Sequence, residues 1–260
     1  MHQVMVESKK IMKTSGQKVA IVTGGASGIG LAIAEKFIEN NIITIIIGRD
    51  KEKLKSAKNK LGELCIPIPF DLNNLSAIQD LINRIITEYK FIDILVNNAG
   101  INLKKEFTEV TDEEFQKIIL TNVESVFAIS REVVKCMIEK GTGSIINISS
   151  MASQYGLPKV IAYSASKAAI EGMTRAMAVE LSPKGIRVNC IAPGFIATDM
   201  SAKALNNDKE RKDKVMSRTP MGFMGMPADI GDAAVFLATE SSKYITGVVL
   251  PVDGGNSIGF

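Results

Sequence analysis

Residues 19–30 read Val19-Ala20-Ile21-Val22-Thr23-Gly24-Gly25-Ala26-Ser27-Gly28-Ile29-Gly30, and Leu31, Ala34 and Ile38 then recur on one helical face. A strand-length apolar run, a turn rich in glycine and an immediate change to the 3.6-residue period open a βαβ unit, with the helix expected over about Gly30 to Glu39. The apolar run Ile42–Ile47 supplies its second strand. The same alternation continues through Cys65–Phe70, Ile92–Val96, Ser144–Ser149, Arg187–Ile191 and Val248–Val252, with longer segments between them. That is the sequence form of a parallel sheet wrapped on both faces. The predicted fold is α/β: a single-domain Rossmann-type doubly wound parallel sheet of about seven strands over residues 18–260, preceded by an extension, residues 1–17, expected to be mobile.

Pro67 and Pro69 fall inside the third run, two residues apart, so both missing N–H groups face one side of that strand. Proline is tolerated in a sheet only where that side has no partner. The third strand is therefore expected at an edge, which is its place in the order 3-2-1-4-5-6.

Composition removes several function classes. The only histidine among the 260 residues is His2, so a histidine-based triad or zinc site has no raw material. A net charge of +3 is dispersed without a basic block, which argues against nucleic acid as a partner. Cys65, Cys136 and Cys190 are odd in number, far apart and set among apolar residues, the pattern of reduced buried thiols. No apolar run reaches signal-peptide or membrane-spanning length, so no membrane association and a cytoplasmic location are expected.

The glycines of the first turn let main-chain N–H groups approach a pyrophosphate, which the helix N-terminus also favours electrostatically. Their spacing, Gly24, Gly28, Gly30, is G-x-x-x-G-x-G rather than G-x-G-x-x-G. A second turn, Asn97-Asn98-Ala99-Gly100, closes the fourth strand at the same carboxyl edge of the sheet, where open α/β sheets bind ligands. Tyr163-Ser164-Ala165-Ser166-Lys167 puts a phenol and an ammonium on one helix face. A lysine cation beside a tyrosine favours phenolate and is expected to lower its pKa from about 10, giving a tunable acid/base. Ser150, thirteen residues upstream, ends the fifth strand at that same edge.

Taken in order, the Thr23–Gly30 turn, Asp71, Asn97–Gly100, Asn122, Ser150, Tyr163-x-x-x-Lys167, Pro193-Gly194 and Asp253 resemble the classical branch of the short-chain dehydrogenase/reductase family, from Lys18 to Gly255. The resemblance implies hydride transfer between a nicotinamide cofactor and a ketone or secondary alcohol. Tyr163 is then the proton-transfer group, Ser150 orients the carbonyl, Lys167 also holds the nicotinamide ribose, and Asn122 helps carry protons through water. It implies cofactor contacts from Gly24, Ser27, Gly28, Ile29 and Gly30, from Asp71 and Leu72 at the adenine, from Asn98, Ala99 and Gly100, and from Pro193, Gly194 and Thr198 near the carboxamide. It also implies a homotetramer, to which the apolar end Val248–Val252, Ile258 and Phe260 would suit a contact.

Cofactor choice turns on Ile47-Gly48-Arg49-Asp50. Gly48 stands where an NAD enzyme commonly carries an acid, and Arg49 can bind a 2′-phosphate, so NADP(H) is favoured. Ser27 replaces the basic residue that many NADP-preferring relatives have in the glycine turn, and Asp50 can repel a phosphate or engage Arg49, so NAD(H) or dual use stays open. The segment about 195–226 reads either as a substrate-binding loop or as an amphipathic surface helix. Its Leu205, Met221, Phe223 and Met224 suit a largely apolar ketone. A carbonyl reductase or alcohol dehydrogenase is the first expectation. A 3-oxoacyl-carrier-protein reductase, docking through Arg131, Lys135 and Lys184, or a sugar-acid dehydrogenase of the gluconate 5-dehydrogenase type, are the alternatives within the same chemistry. A regulatory protein with vestigial chemistry is the alternative outside it, and the intact Ser150, Tyr163 and Lys167 argue against it.

Overall fold

β1 (Val19–Thr23) is buried along its whole length and pairs in parallel on both sides, with β2 (Ile43–Gly48) and β4 (Ile94–Asn97). A strand paired on both edges and covered on both faces has no solvent side, so its residues do not alternate in polarity. The computed structural model describes residues 16–198, 213 and 215–259. It completes the sheet with β3 (Cys65–Pro69), β5 (Gly143–Ile148), β6 (Ile186–Pro193) and β7 (Val249–Val252), all parallel in the order β3-β2-β1-β4-β5-β6-β7. The strands expected from the sequence are present to within two residues at either end, and β6 extends to include Pro193. Of the expected N-terminal extension, residues 1–15 lie outside the described part.

β3 is an edge, as its prolines require. Thr44 N donates to Leu64 O at 2.8 Å and Phe70 N to Gly48 O at 2.8 Å, so the even-numbered residues of this segment bond inward. The nitrogens of Pro67 and Pro69 consequently face away from β2. The other edge, β7, is built alike: Cys190 N reaches Val248 O and Gly194 N reaches Val252 O, which turns the nitrogen of Pro251 outward.

Among the described residues, the helices that cover the sheet are α1 (Gly28–Glu39), α2 (Lys51–Leu61), α3 (Ile78–Tyr89), α4 (Asp112–Ile119), α5 (Ser125–Lys140), α6 (Ile161–Leu181) and α7 (Pro227–Ala238). On one face Leu81, Ile129 and Ala178, from α3, α5 and α6, pack on Ile21, Ile45, Leu95 and Ile145. On the other, Ile33 and Phe37 of α1 and Ile230 and Ala234 of α7 pack on Val22, Val96 and Ile146. α1 and α7 cross closely because Gly231 has no side chain, and a Cβ there would lie 2.7 Å from Lys36 Cγ and 3.0 Å from Ala32 O. The three cysteines are buried and unpaired, as expected. Among the described residues no helix is long and apolar enough to cross a membrane.

The chain runs outward from β1 to β3 and then returns to β4, so a crevice opens between the carboxyl ends of β1 and β4. Around it stand the two glycine-bearing turns, the end of β5 and the start of α6.

Candidate active site

The glycine turn is held by Thr23, whose Oγ1 accepts from Asn98 N and Ala99 N, both at 3.0 Å. Asn98 answers with its amide, donating to Thr23 O at 2.9 Å and Gly24 O at 3.3 Å. The two turns are thus one unit, joined by the Asn98 side-chain amide nitrogen. Gly24 and Gly28 have φ of +66° and +53°, which side chains disfavour. A Cβ on Gly30 would come within 2.3 Å of Gly24 O and 2.5 Å of Asn98 Nδ2. α1 begins at Gly28, two residues earlier than expected, with no side-chain cap from Ser27 and no acid in its first turn. Ser27 and Gly28 are exposed, so the N–H groups at this helix start face the crevice available to an anion.

On the opposite wall, Ser150 leaves β5 and its Oγ accepts from Ala152 N at 3.1 Å. Tyr163 lies in the first turn of α6, near enough to Ser150 for that hydroxyl to favour its ionised form. Lys167, one turn on, is only 5% exposed. Its Nζ donates to Ile148 O at 2.7 Å and sits 5.6 Å from the centre of the Tyr163 ring. Burial pulls the ammonium down to about 8. The phenol goes the other way: burial raises it, and the Ser150 hydroxyl offsets part of that rise. The expected lowering of Tyr163 by Lys167 is therefore corrected. Removing a phenolate from water outweighs its partners here, and Lys167 directs its charge at the Ile148 carbonyl.

Asn122 is buried within a π-helical segment, Leu120–Glu124, between α4 and α5. Its amide donates to Ile101 O at 2.9 Å and Ser166 Oγ at 3.0 Å, while its Oδ1 accepts from Ile101 N at 2.9 Å. Both amide protons are engaged, so this side chain has no proton left to donate to a water. Gly100 is exposed beside it, and a Cβ there would stand 3.3 Å from Asn122 Oδ1 and 3.7 Å from Lys167 Nζ.

A family model described as enoyl-(acyl carrier protein) reductase matches residues 24–257. The chain is 42% identical over 243 residues to a 3alpha-hydroxysteroid dehydrogenase of Mediterraneibacter gnavus, covering 91% of this chain and 96% of that protein. It is 41% identical over 242 residues to the 3-oxoacyl-(acyl-carrier-protein) reductase FabG of Chlamydia trachomatis, covering 92% and 96%. It superposes on a putative gluconate dehydrogenase from Agrobacterium tumefaciens with a TM-score of 0.90 at 35% identity, covering 94% and 97%. The chain belongs to the short-chain dehydrogenase/reductase family. It is an oxidoreductase acting between keto and CH–OH groups with a nicotinamide cofactor.

The residues of this short-chain dehydrogenase/reductase fit such a dinucleotide: an uncapped helix start, glycines where side chains would fill the cradle, and an exposed Gly100 beside Lys167. Gly24, Ser27, Gly28, Ile29 and Gly30 would form one side of its cradle. Thr198 closes towards them, its methyl 3.9 Å from where a Cβ of Gly28 would be. Arg49 is exposed and makes no hydrogen bond or ion pair among the described residues. Asp50 caps α2 through Glu52 N and Lys53 N, so it neither pairs with Arg49 nor stands clear of it as a bare charge.

Other expected contacts are narrower than the sequence implied. Asp71 accepts from Asn73 N in its own turn, and the Leu72 side chain is buried in the core, leaving only its main chain for an adenine. Gly194 is small because Asp253 presses on it: a Cβ would lie 2.6 Å from that of Asp253. Leu205 lies outside the described residues, as do the rest of residues 199–212 and residue 214 of the 195–226 segment. That segment leaves and re-enters through one neck, since Ala197 N donates to Gly225 O and Gly225 N to Phe195 O. Thr23 was missed by sequence reasoning because a threonine ending a strand is ordinary. So was the clamp in which Tyr155, five residues after Ser150, stacks on Arg218 and donates to Asn256 Oδ1 at 2.6 Å.

Proposed function

We propose that this enzyme interconverts a ketone and a secondary alcohol on a largely apolar substrate, with Tyr163 moving the proton and Ser150 holding the reacting oxygen. The observation that carries the reading is the convergence of Ser150, Tyr163 and Lys167 at the end of β5, with Lys167 Nζ on Ile148 O and 5.6 Å from the centre of the Tyr163 ring. The dinucleotide supplies or accepts the hydride. In the reductive direction Ser150 donates a hydrogen bond to the carbonyl oxygen, and the Tyr163 phenol gives that oxygen its proton. A raised phenol pKa keeps Tyr163 protonated at neutral pH, which suits reduction. Lys167 would hold the nicotinamide ribose beside the phenol, and Asn122 would help hold a water through which Tyr163 regains its proton.

The apolar substrate is supported by Met221 and Phe223, 61% and 56% exposed, beside the segment that Tyr155 clamps. A steroid-like or other hydrophobic secondary alcohol fits such a wall better than a sugar acid does. The acyl-carrier-protein alternative loses part of its docking patch, because Arg131 and Lys135 both ion-pair with Glu132 on their own helix. NADP(H) is favoured because Arg49, just past the end of β2, is exposed without a partner among the described residues, while Asp50 is committed to α2.

Tyr163→Phe is expected to lower turnover about 1,000-fold while dinucleotide binding, read by fluorescence titration, is retained. Unchanged turnover would sink the mechanism. A panel of steroid, aliphatic, acyl-thioester and sugar-acid ketones, assayed with NADPH and NADH in parallel, tests the substrate class. Arg49→Ala is expected to raise the KM for NADPH about tenfold and leave that for NADH alone. An equal effect on both cofactors removes Arg49 from the choice.

A further inference from the structure

Behind Ser150 lies a carboxylate that this chemistry leaves unused. Glu171 stands on α6 one turn beyond Lys167 and two beyond Tyr163, and it is buried. Its Oε1 receives the Ser149 hydroxyl at 2.9 Å and lies closer still to that of Ser153. These two serines bracket Ser150. Ser149 is the residue before it, and its Oγ is also 3.3 Å from Lys167 O. Ser153 closes the 3-10 turn Met151–Ser153, and its hydroxyl reaches Ser150 O at 2.5 Å. A buried carboxylate is costly unless its oxygens are hydrogen-bonded, and here both serine partners belong to the turn that carries the reacting hydroxyl.

We propose that Glu171 is a positioning residue for the ketone–alcohol reaction. It fixes the main chain on both sides of Ser150, so that the Ser150 hydroxyl stays aligned with Tyr163. Glu171 touches neither substrate nor dinucleotide, and it acts through Ser149 and Ser153 alone. Lys167 and Tyr163 lie on the same rigid helix, so the anchor ties the serine turn to the very element that bears the other two groups. The inference rests on the assignment of Ser150 and Tyr163 made above.

The test measures kcat, KM and dinucleotide Kd for the full chain, Glu171→Gln, Glu171→Ala, the double variant Ser149→Ala/Ser153→Ala, and Ser150→Ala. Glu171→Ala is expected to lower kcat about 30-fold with Kd unchanged, because a small displacement of an orienting group is felt in the rate. Glu171→Gln, whose amide oxygen can accept the same two hydroxyls, is expected to recover kcat to within about threefold of the full chain. The serine double variant is expected to reproduce the loss, and adding Glu171→Ala to it is expected to change little more. An unchanged kcat in Glu171→Ala, a loss that glutamine does not restore, or effects that multiply when combined would each overturn the proposal. If Glu171→Ala does not fold, the serine double variant decides: a wild-type kcat refutes the anchor, and a lowered kcat with unchanged Kd upholds it. Ser150→Ala separates the two levels. Full activity there defeats the assignment of Ser150 and this proposal with it, whereas inactivity beside a fully active Glu171→Ala defeats only this proposal.

Discussion

Lys167 and Tyr163 are four residues apart, but what governs their proton affinities is the depth at which α6 sets them. The folded chain holds the Lys167 ammonium at about 8, against an ordinary 10.5. Its pKa is depressed, so the cost of keeping it charged is fully present below pH 8 and is relieved as the pH rises from about 8 to 10.5. Over that window the unfolded chain binds the extra proton, and stability climbs. The shift corresponds to about 3 kcal/mol. Lys167→Met is thus expected to raise stability towards denaturant at pH 7 and to flatten its rise between pH 8 and 10, while abolishing turnover. A variant less stable at pH 7, as read by urea titration, would show that the Ile148 hydrogen bond outweighs the burial of charge. For catalysis, ketone reduction is expected to hold steady through neutral pH and decline above about 8 as Lys167 loses its charge. In the sequence, spacing put Tyr163, Lys167 and Ser150 at one edge of the sheet, and resemblance to the short-chain dehydrogenase/reductase family named their roles. Spacing gave the wrong direction for Tyr163 because burial is a property of the packed chain, and no spacing reports it.

β1, its glycine turn and α1 were legible because three signals of different origin coincide there: an apolar run, glycines and a change of period. The edge position of β3 was legible for a separate reason, since proline has no N–H to donate. The π-helical segment at Asn122 was not, because the sequence Leu120-Thr121-Asn122-Val123-Glu124 carries no breaker, and its widened turn depends on the Ile101 and Ser166 partners that Asn122 finds in three dimensions. Two glycines separate the helix-packing function from the ligand function. Gly231→Ala, at the crossing of α1 and α7, is expected to cost about 1–3 kcal/mol in a thermal or denaturant melt without changing dinucleotide affinity. Gly30→Ala pushes on the glycine turn itself and is expected to lose both. Equal binding losses in the two variants would mean that the turn and the crossing are not independent.

At the scale of the whole molecule, a homotetramer is the expected assembly, and a light-scattering mass near four chains of 28.1 kDa would bear it out. A monomer at micromolar concentration would refute it. Phe115 and Phe127 on the α4–α5 side, and Ile258 beyond β7, are exposed apolar groups that such an assembly would cover. How they are covered is constrained by the two rims of the sheet. Pro67 and Pro69 on one rim and Pro251 on the other withhold donors from any strand that might dock alongside. Each rim is therefore a poor template for continuing a hydrogen-bonded ladder into a neighbouring molecule. Copies of this chain are therefore expected to join through side chains on helices and loops, and the open-ended stacking that leads to fibres is disfavoured at both ends of the sheet by three residues with no direct part in the chemistry.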